Sequence, residues 1–288
     1  MDNVKRLFLH VMGKKFFGFV PDDIYLKYRY YLRTGKNLNL KTPKTFNEKL
    51  QWLKINDRKE EYVKMVDKNE AKEYVAKIIG KEHIIPTIGI YNNFDDIDFD
   101  KLPEQFVIKC THDSGGVVIC KDKNSFDIAS ARKRINKSLK KNYYYGNREW
   151  PYKNIKPRII IEKYMVNKND NELTDYKFFN FNGEPKIILV CTNRSIGLRE
   201  TWFDEKFRKL DIVEGGHLND TDIKTPEKLG EMIKLSRALS KNIPFVRTDF
   251  YVVNNKVYFG EITFFPASGF EKFVPEEWDG KLGELISL

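Results

Sequence analysis

Apolar and polar positions change their period along the chain, and the changes mark out its parts. Over the first 80 residues the apolar positions fall at helical spacing. Pro21-Asp22-Asp23 opens an aromatic-rich stretch, IYLKYRYYLRTG, that stops at Gly35, a residue suited to a helix C-terminus. Thr45-x-x-Glu48 reads as a capping box ahead of LQWLKI, and Asp67-x-x-Glu70 caps KEYVAKII, which runs to Gly80. HIIPTIGIY is a β-rich run broken by Pro86. From residue 106 short apolar strands take over: FVIKC and VVICK flank THDSGG and predict strand, Gly-containing loop, strand. Residues 125–141 return to helical spacing with a basic face.

The stretch NYYYGNREWPYKNIKPR is irregular and predicts a mobile or lobe-linking segment. IIIEKYM is a strand ending in polar groups. Two hairpins follow, DYKFFNFNGEPKIILVC turning at Asn182-Gly183 and VRTDFYVVNNKVYFGEITF turning near Asn254-Asn255, with a helix over 225–241 between them. No internal repeat is visible. The pattern predicts an α+β protein: a helical lead-in over 1–100, a small α+β lobe over 101–160, and a strand-dominated lobe over 161–288.

Charge sharpens this division. Residues 1–150 carry 30 Lys and Arg against 20 Asp and Glu, whereas 151–288 carry 21 of each. The whole surplus of +10 therefore lies in one half, concentrated in 1–50 and 121–150, and points to an anionic ligand or surface. A hydrophobic fraction of 41% excludes a disordered chain. No apolar run approaches the roughly 20 residues of a membrane span. MDNVKRLFLHVMGKKFFGFV lacks the apolar core and cleavage site of a secretory signal. Three cysteines without a close pair make a disulfide framework or zinc site unexpected, so a cytoplasmic protein is the plain reading.

The last hairpin carries the most chemistry. With a loop of residues 254–256, Val253 faces Val257 and Asp249 faces Glu261, so both carboxylates could reach one cation; Mg²⁺ is the usual choice. Thr263 shares the face of Glu261 by the two-residue period. In FVIKCTHDSGG, Lys109 ends an apolar strand and needs a charged partner, which a phosphate could be. Ser114-Gly115-Gly116 can bring backbone N–H groups to an anion. Lys68 follows Asp67 at a helix N-terminus, where anions are favoured. Strand IIIEKYM runs into Glu162-Lys163-Tyr164, where strand backbone could pair with an adenine edge. Each feature alone also fits something plainer: solvated strand acids, an ordinary turn, a capped helix.

Together, in this order and spacing, they match the ATP-grasp fold. The chain resembles a carboxylate–amine ligase of that superfamily, and more narrowly the TupA-like, teichuronopeptide-biosynthesis-type family. The resemblance covers nearly the whole chain through LRTGKNLNLKTPKTFNEKLQWLK, DKNEAKEYV, LPEQFVIKCTHDSGG, REWPYKNIKPRIIIEKYM, DYKFFNFNGEPK and VRTDFYVVNNKVYFGEITFFPASGF. It implies two α+β lobes holding ATP between them. Carried over by residue, it makes Lys68 and Lys109 phosphate lysines and Ser114, Gly115 and Gly116 the loop over the phosphates. Glu162 with the backbone of Lys163 and Tyr164 becomes the adenine hinge, and Asp249 with Glu261 the Mg²⁺ ligands. Many ATP-grasp enzymes place an asparagine ligand where this chain has Thr263, a weaker one.

The resemblance further implies an ATP- and Mg²⁺-dependent reaction through an acyl phosphate that an amine attacks. Arg247, at the strand parity of Asp249, and Arg194, after the second hairpin, are candidates for holding the acyl phosphate or acceptor carboxylate. By analogy the acceptor is a uronic acid of a capsule, O-antigen or teichuronopeptide-type polysaccharide, and the amine an amino acid or amino alcohol. Residues 143–152, rich in Tyr and Trp, could stack on sugar rings or pack between lobes. VKRLFLHVM with Lys14 and Lys15 could anchor residues 1–18 peripherally at the inner face of a membrane or form an ordinary first helix. Two rival readings stand beside the ligase: a glycosyltransferase of surface-polysaccharide assembly, and a basic nucleic-acid-binding protein without ATP turnover.

Overall fold

A computed structural model describes residues 3–167, 172–193, 197–215 and 223–288. The predicted helical start is α1 (Asn3–Met12), α2 (Asp22–Thr34), α3 (Phe46–Asn56), α4 (Glu61–Val66) and α5 (Glu70–Ile79). Their ends follow local chemistry. Gly35 closes α2 in the left-handed region at φ 77°. Thr45 and Glu48 form the reciprocal capping box of α3. The Asp67 carboxylate accepts from the amides of Asn69 (2.8 Å) and Glu70 (3.2 Å) at the start of α5.

A four-stranded antiparallel sheet follows, built from β1 (Thr87–Tyr91), β2 (Phe106–Cys110), β3 (Val117–Cys120) and β4 (Ile159–Lys163), in the order β1-β4-β2-β3. One face is covered by α6 (Ile128–Leu139): Ala131 and Ile135 pack with Phe106, Ile108, Ile159 and Ile161. The short α7 (Tyr144–Asn147) lies between α6 and β4. The sheet takes β1 from the stretch assigned to the helical lead-in and all of β4, so it spans 87–163 instead of 101–160.

The larger sheet is also antiparallel. Its strands are β5 (Asp175–Phe181), β6 (Glu184–Thr192), β7 (Arg199–Asp204), β9 (Phe245–Val253) and β10 (Lys256–Thr263), ordered β10-β9-β5-β6-β7; β8 (Val213–Glu214) pairs separately with β11 (Phe273–Val274). Helices α8 (Leu229–Ser240) and α9 (Glu277–Glu284) complete the lobe. Its core is aromatic: Phe178, Trp202 and Phe250 are fully buried, and Phe46 from α3 meets Phe245 edge-on at 4.9 Å. Leu50, Tyr62, Met65 and Val75 from α3, α4 and α5 enter the same core. The lobes meet where Ile84 bridges Phe259 of β10 and His83 Nδ1 contacts the Val257 carbonyl at 2.9 Å.

Both predicted turns are present. Asn182 (φ 52°) and Gly183 (φ 85°) join β5 to β6, and Asn254 (φ 49°) and Asn255 (φ 60°) join β9 to β10. Positive φ at both central residues suits the twist of a hairpin. The second loop thus has two residues, not the three expected, and Val253 pairs with Lys256.

Candidate active site

The two-residue loop alone would place Asp249 opposite Gly260 and turn Glu261 to the other face. A bulge between Phe259 and Glu261 corrects this, so that Glu261 pairs with Asp249 and Thr263 with Arg247. The phase of burial shifts with it. Val257 and Phe259 are buried before the bulge and Ile262 and Phe264 after it. The expected opposition of the two acids is therefore present, reached by a different register.

What lies between the acids is a guanidinium. Arg247 donates from Nε to Asp249 Oδ1 (2.7 Å) and from Nη2 to Asp249 Oδ2 (2.8 Å), Glu261 Oε1 (2.9 Å) and Thr263 Oγ1 (3.2 Å). Lys177, on the neighbouring strand β5, donates to Asp249 Oδ2 at 2.5 Å. Burial alone would raise the Asp249 carboxyl, but Arg247 and Lys177 outweigh it and hold it below the usual range. The same acids hold the Arg247 guanidinium above its ordinary value against burial.

A second charged knot sits on the small sheet. Glu162, buried on the central strand β4, accepts from Lys109 of β2 at 2.6 Å and from Lys72 of α5. Burial would raise the Glu162 carboxyl; the two lysines prevail and lower it. Burial also lowers Lys72, with Glu162 opposing. The Glu162 side chain is thus committed to the lysines, while the Lys163 amide donates to the Pro86 carbonyl at 3.0 Å. The predicted charged partner of Lys109 is this carboxylate.

The Gly-containing loop between β2 and β3 is fastened from within. Asp113 accepts from the Gly116 amide (3.2 Å) and from the Ser138 hydroxyl. A Cβ on Gly116 would lie 2.5 Å from Ser138 Oγ, whereas one on Gly115 would meet nothing within 4 Å. Ser114 and Gly115 are exposed at the tip. His112 is buried, with Nε2 on the carbonyls of Ser138 (3.2 Å) and Lys141 (3.1 Å), a structural role. Lys68 ties the loop to α5: its amide donates to Thr111 O (3.0 Å) and its ammonium to Asp113 O. Burial lowers the Lys68 ammonium, with Glu261 and Asp113 offsetting part of the effect.

These groups line one cleft of about 730 Å³ between the sheets. Its lining includes apolar Ile85, Val107, Ile119, Met165 and Leu173, with Lys163 and Tyr164, and polar Lys68, Lys109, Ser114, Lys177, Arg247, Glu261 and Thr263. Every sequence-predicted site residue among the described ones except Gly115, Gly116 and the buried Asp249 lines the cleft. Arg194 lies outside the described residues. Sequence reading missed Lys72 and Lys177. Lys72 lies one helical turn beyond Lys68, and Lys177 alternates with Asp175 on a strand, so spacing held a signal for both.

The TupA-like ATPgrasp family matches residues 48–287. The chain belongs to that family. No curated protein matches it significantly. Among solved structures it is similar to D-alanine–D-alanine ligase from Bacillus anthracis complexed with ATP, at 20% identity over 69% of this chain and 53% of that one, TM-score 0.40. The Helicobacter pylori D-alanine–D-alanine ligase gives 17% identity over 84% and 69%, TM-score 0.43. N5-carboxyaminoimidazole synthase from Aspergillus clavatus, in complex with ADP and 5-aminoimidazole ribonucleotide, gives 9% over 71% and 45%, TM-score 0.39. The chain spans about half the length of the first of these.

For a TupA-like ATPgrasp chain the donor set bears on Mg²⁺. Glu261 is half-exposed, and its Oε2 takes no hydrogen bond among the described residues. With the Thr263 hydroxyl beside it, it fits an ion that keeps one or two carboxylates and completes its shell with phosphates and water. Asp249, 1% exposed, has both oxygens engaged by Arg247 and Lys177. Here it anchors Arg247; Oδ1 accepts a single hydrogen bond and keeps a lone pair, so Asp249 can still join Glu261 as a ligand. Arg247 bridges the paired acids in this structure.

Proposed function

We propose that this chain is an ATP- and Mg²⁺-dependent ligase that joins a carboxylate to an amine through an acyl phosphate. The observation that carries the reading is the cleft itself: apolar side chains and the exit of β4 share its wall with Lys68, Lys109, Lys177 and Arg247, contributed by both lobes. Apolar walls suit a purine, and these cations suit a polyphosphate whose transfer needs placement and neutralised charge more than a nucleophile. Lys68 and Lys109 bind phosphate oxygens, and the tip of the 114–116 loop covers them. Glu261 and Thr263 hold Mg²⁺ when it is bound, which supplies charge neutralisation. Arg247, with Nη1 unpartnered among the described residues, orients the transferred phosphoryl group or the acceptor carboxylate.

The substrate pair is proposed as a uronic-acid carboxylate of a surface polysaccharide or its precursor, with an amino acid or amino alcohol as the amine. Tyr143 and Tyr152 on the cleft wall support a sugar there, as does the basic surplus of residues 1–50 and 121–150 for an anionic acceptor. Tyr144 and Arg148 of the same stretch are instead packed against Asp22 and Tyr25. Among the described residues no helix is long and apolar enough to cross a membrane. Peripheral attachment through residues 1–18 is supported by Leu7, Phe8 and Phe16, the last 77% exposed, beside Lys14 and Lys15.

The test is incubation with ATP, Mg²⁺, a panel of uronic acids and a panel of amines. ADP release that requires both a carboxylate and an amine, with the matching mass gain, is expected. UDP release from a UDP-sugar in place of it would favour a glycosyltransferase, and salt-dependent binding of single-stranded nucleic acid without ATP turnover a nucleic-acid-binding protein.

A further inference from the structure

Behind the cleft lies a buried polar network that the phosphate-binding groups do not use. Lys54 of α3 is fully buried, and its ammonium donates to Gln51 Oε1 (2.9 Å) and to the carbonyls of Asn147 (2.9 Å) and Ser268 (2.7 Å). Ser268 is held with left-handed backbone, φ 57°, in the turn Pro266–Gly269. Its hydroxyl accepts from Asn147 Nδ2 (2.8 Å) and donates to Glu149 Oε1 (2.5 Å). Backbone held in that region away from glycine is costly and is retained where surroundings enforce it, often at sites of function.

Glu149 and Ser268 are the members of this network that line the cleft, and Glu149 is the one with a carboxylate. It is 4% exposed yet lines the cleft, and its second oxygen, Oε2, takes no hydrogen bond among the described residues. A buried carboxylate with one open oxygen is a receptor for a cation. Tyr143 and Tyr152 line the cleft beside it and feel the charges of both Glu149 and Glu261. Glu149 thus faces the same compartment as the Arg247–Glu261–Thr263 cluster. The charged and titratable groups that interact with it are Lys54 from α3 and Tyr143 and Tyr152 from the flanking turns; Glu261 of the hairpin acts on both tyrosines and Arg247 on Tyr152.

The ligase reading leaves one chemical requirement unmet. An alkylamine reaches the site at neutral pH as an ammonium ion, with a pKa of about 10, and in that form has no lone pair for attack. We propose that Glu149 binds the ammonium group of the amine substrate and removes its proton. One proton passes to Glu149 Oε2. The amine nitrogen then forms the C–N bond to the acyl carbon, the C–O bond to phosphate breaks, and phosphate departs with that electron pair and the second nitrogen proton. Burial pushes the Glu149 carboxyl up, with Lys54 and the Ser268 hydroxyl opposing, and so strengthens it as a base. Lys54, itself lowered to about 7 by burial with Glu149 opposing, is the positioning counter-charge.

This inference rests on the ligase reading, and its test separates the two. ATP, Mg²⁺ and the methyl glycosides of glucuronic and galacturonic acid are incubated with ethanolamine or with hydroxylamine. Hydroxylamine is neutral at pH 7 and traps an acyl phosphate without needing a base. In Glu149→Gln the ratio of amide to hydroxamate formed is expected to fall at least 100-fold at pH 7. It should recover at least tenfold by pH 9.5, as free ethanolamine accumulates, and Glu149→Asp should restore part of it. A ratio within threefold of wild type, or a fall that pH does not relieve, overturns the role of Glu149 and leaves the ligase reading standing. If Glu149→Gln has no cooperative melting transition, Glu149→Asp is judged by the same ratio and pH response. Absence of hydroxamate from the wild-type protein overturns both.

Discussion

Arg247 clasps Asp249 from two residues earlier on the same strand, with two hydrogen bonds of 2.7 and 2.8 Å. Residues i and i+2 of a strand share a face, so the pair is preset by the backbone. Its remaining reach goes to Glu261 and Thr263 on the partner strand. The arginine therefore fixes the cleft face of the hairpin before any ligand arrives. Lysine cannot reproduce a planar fork with that many donors. Arg247→Lys is expected to lower ATP turnover at least tenfold and to lower the melting temperature, read by ADP release and thermal denaturation.

Glu261 is the least committed acid of that group, its side chain 46% exposed. Glu261→Ala is expected to abolish Mg²⁺-dependent ATP turnover while shifting the melting temperature by only a few degrees. Nucleotide affinity measured with and without Mg²⁺ provides the sharper reading: the wild-type enhancement by Mg²⁺ should vanish. Retained turnover at the wild-type level would remove Glu261 from the metal site.

Glu162 presents the opposite case. Removing its charge leaves Lys72 and Lys109 close together without a counter-ion, so Glu162→Gln should destabilise the fold by about 3 kcal/mol at pH 7. The pH dependence has a definite sign. The folded-state pKa is depressed, so the stabilisation is fully present above the unfolded value of about 4.3 and is lost as pH falls through the lower folded value. The gap between wild type and variant should hold from pH 7 to about 5 and close in stronger acid, as urea denaturation at each pH will show.

The glycines of the loop should differ from one another. Gly116→Ala drives a Cβ to 2.5 Å from Ser138 Oγ, against the hydroxyl that anchors Asp113, whereas Gly115→Ala meets open space. The first substitution should raise the KM for ATP at least tenfold, and the second by a smaller factor.

How much of this could be read from residues alone depended on how local each signal was. The capping box at Thr45 and Glu48, the left-handed Gly35, and the turns at 182–183 and 254–255 each depend on neighbours within a few positions, and each formed where expected. The facing of Asp249 and Glu261 was legible too, although a bulge at Gly260 was needed to offset the shorter turn. The order of the small sheet was not. β4 enters between β1 and β2 from far along the chain, and only that long-range pairing gives Glu162 its two lysines. Lys72 and Lys177 look like ordinary charged residues until their partners on other elements are known. Glu149 stood in a segment read for its aromatics, and its burial depends on α3 and the 266–269 turn.

The bulge at Gly260 has a consequence for interpreting natural variation in this chain. A Cβ there would come within 3.0 Å of the Tyr251 ring and 3.1 Å of the Asp249 carbonyl, so replacement presses on the feature that sets which way Glu261 points. Such a change would leave Asp249, Glu261, Thr263 and Arg247 all in the sequence, and ATP turnover is still expected to fall. An inventory of intact ligands would score it as functional. For this hairpin the vulnerable quantity is the spacing of the chain between two acids, and it is inherited separately from the acids themselves.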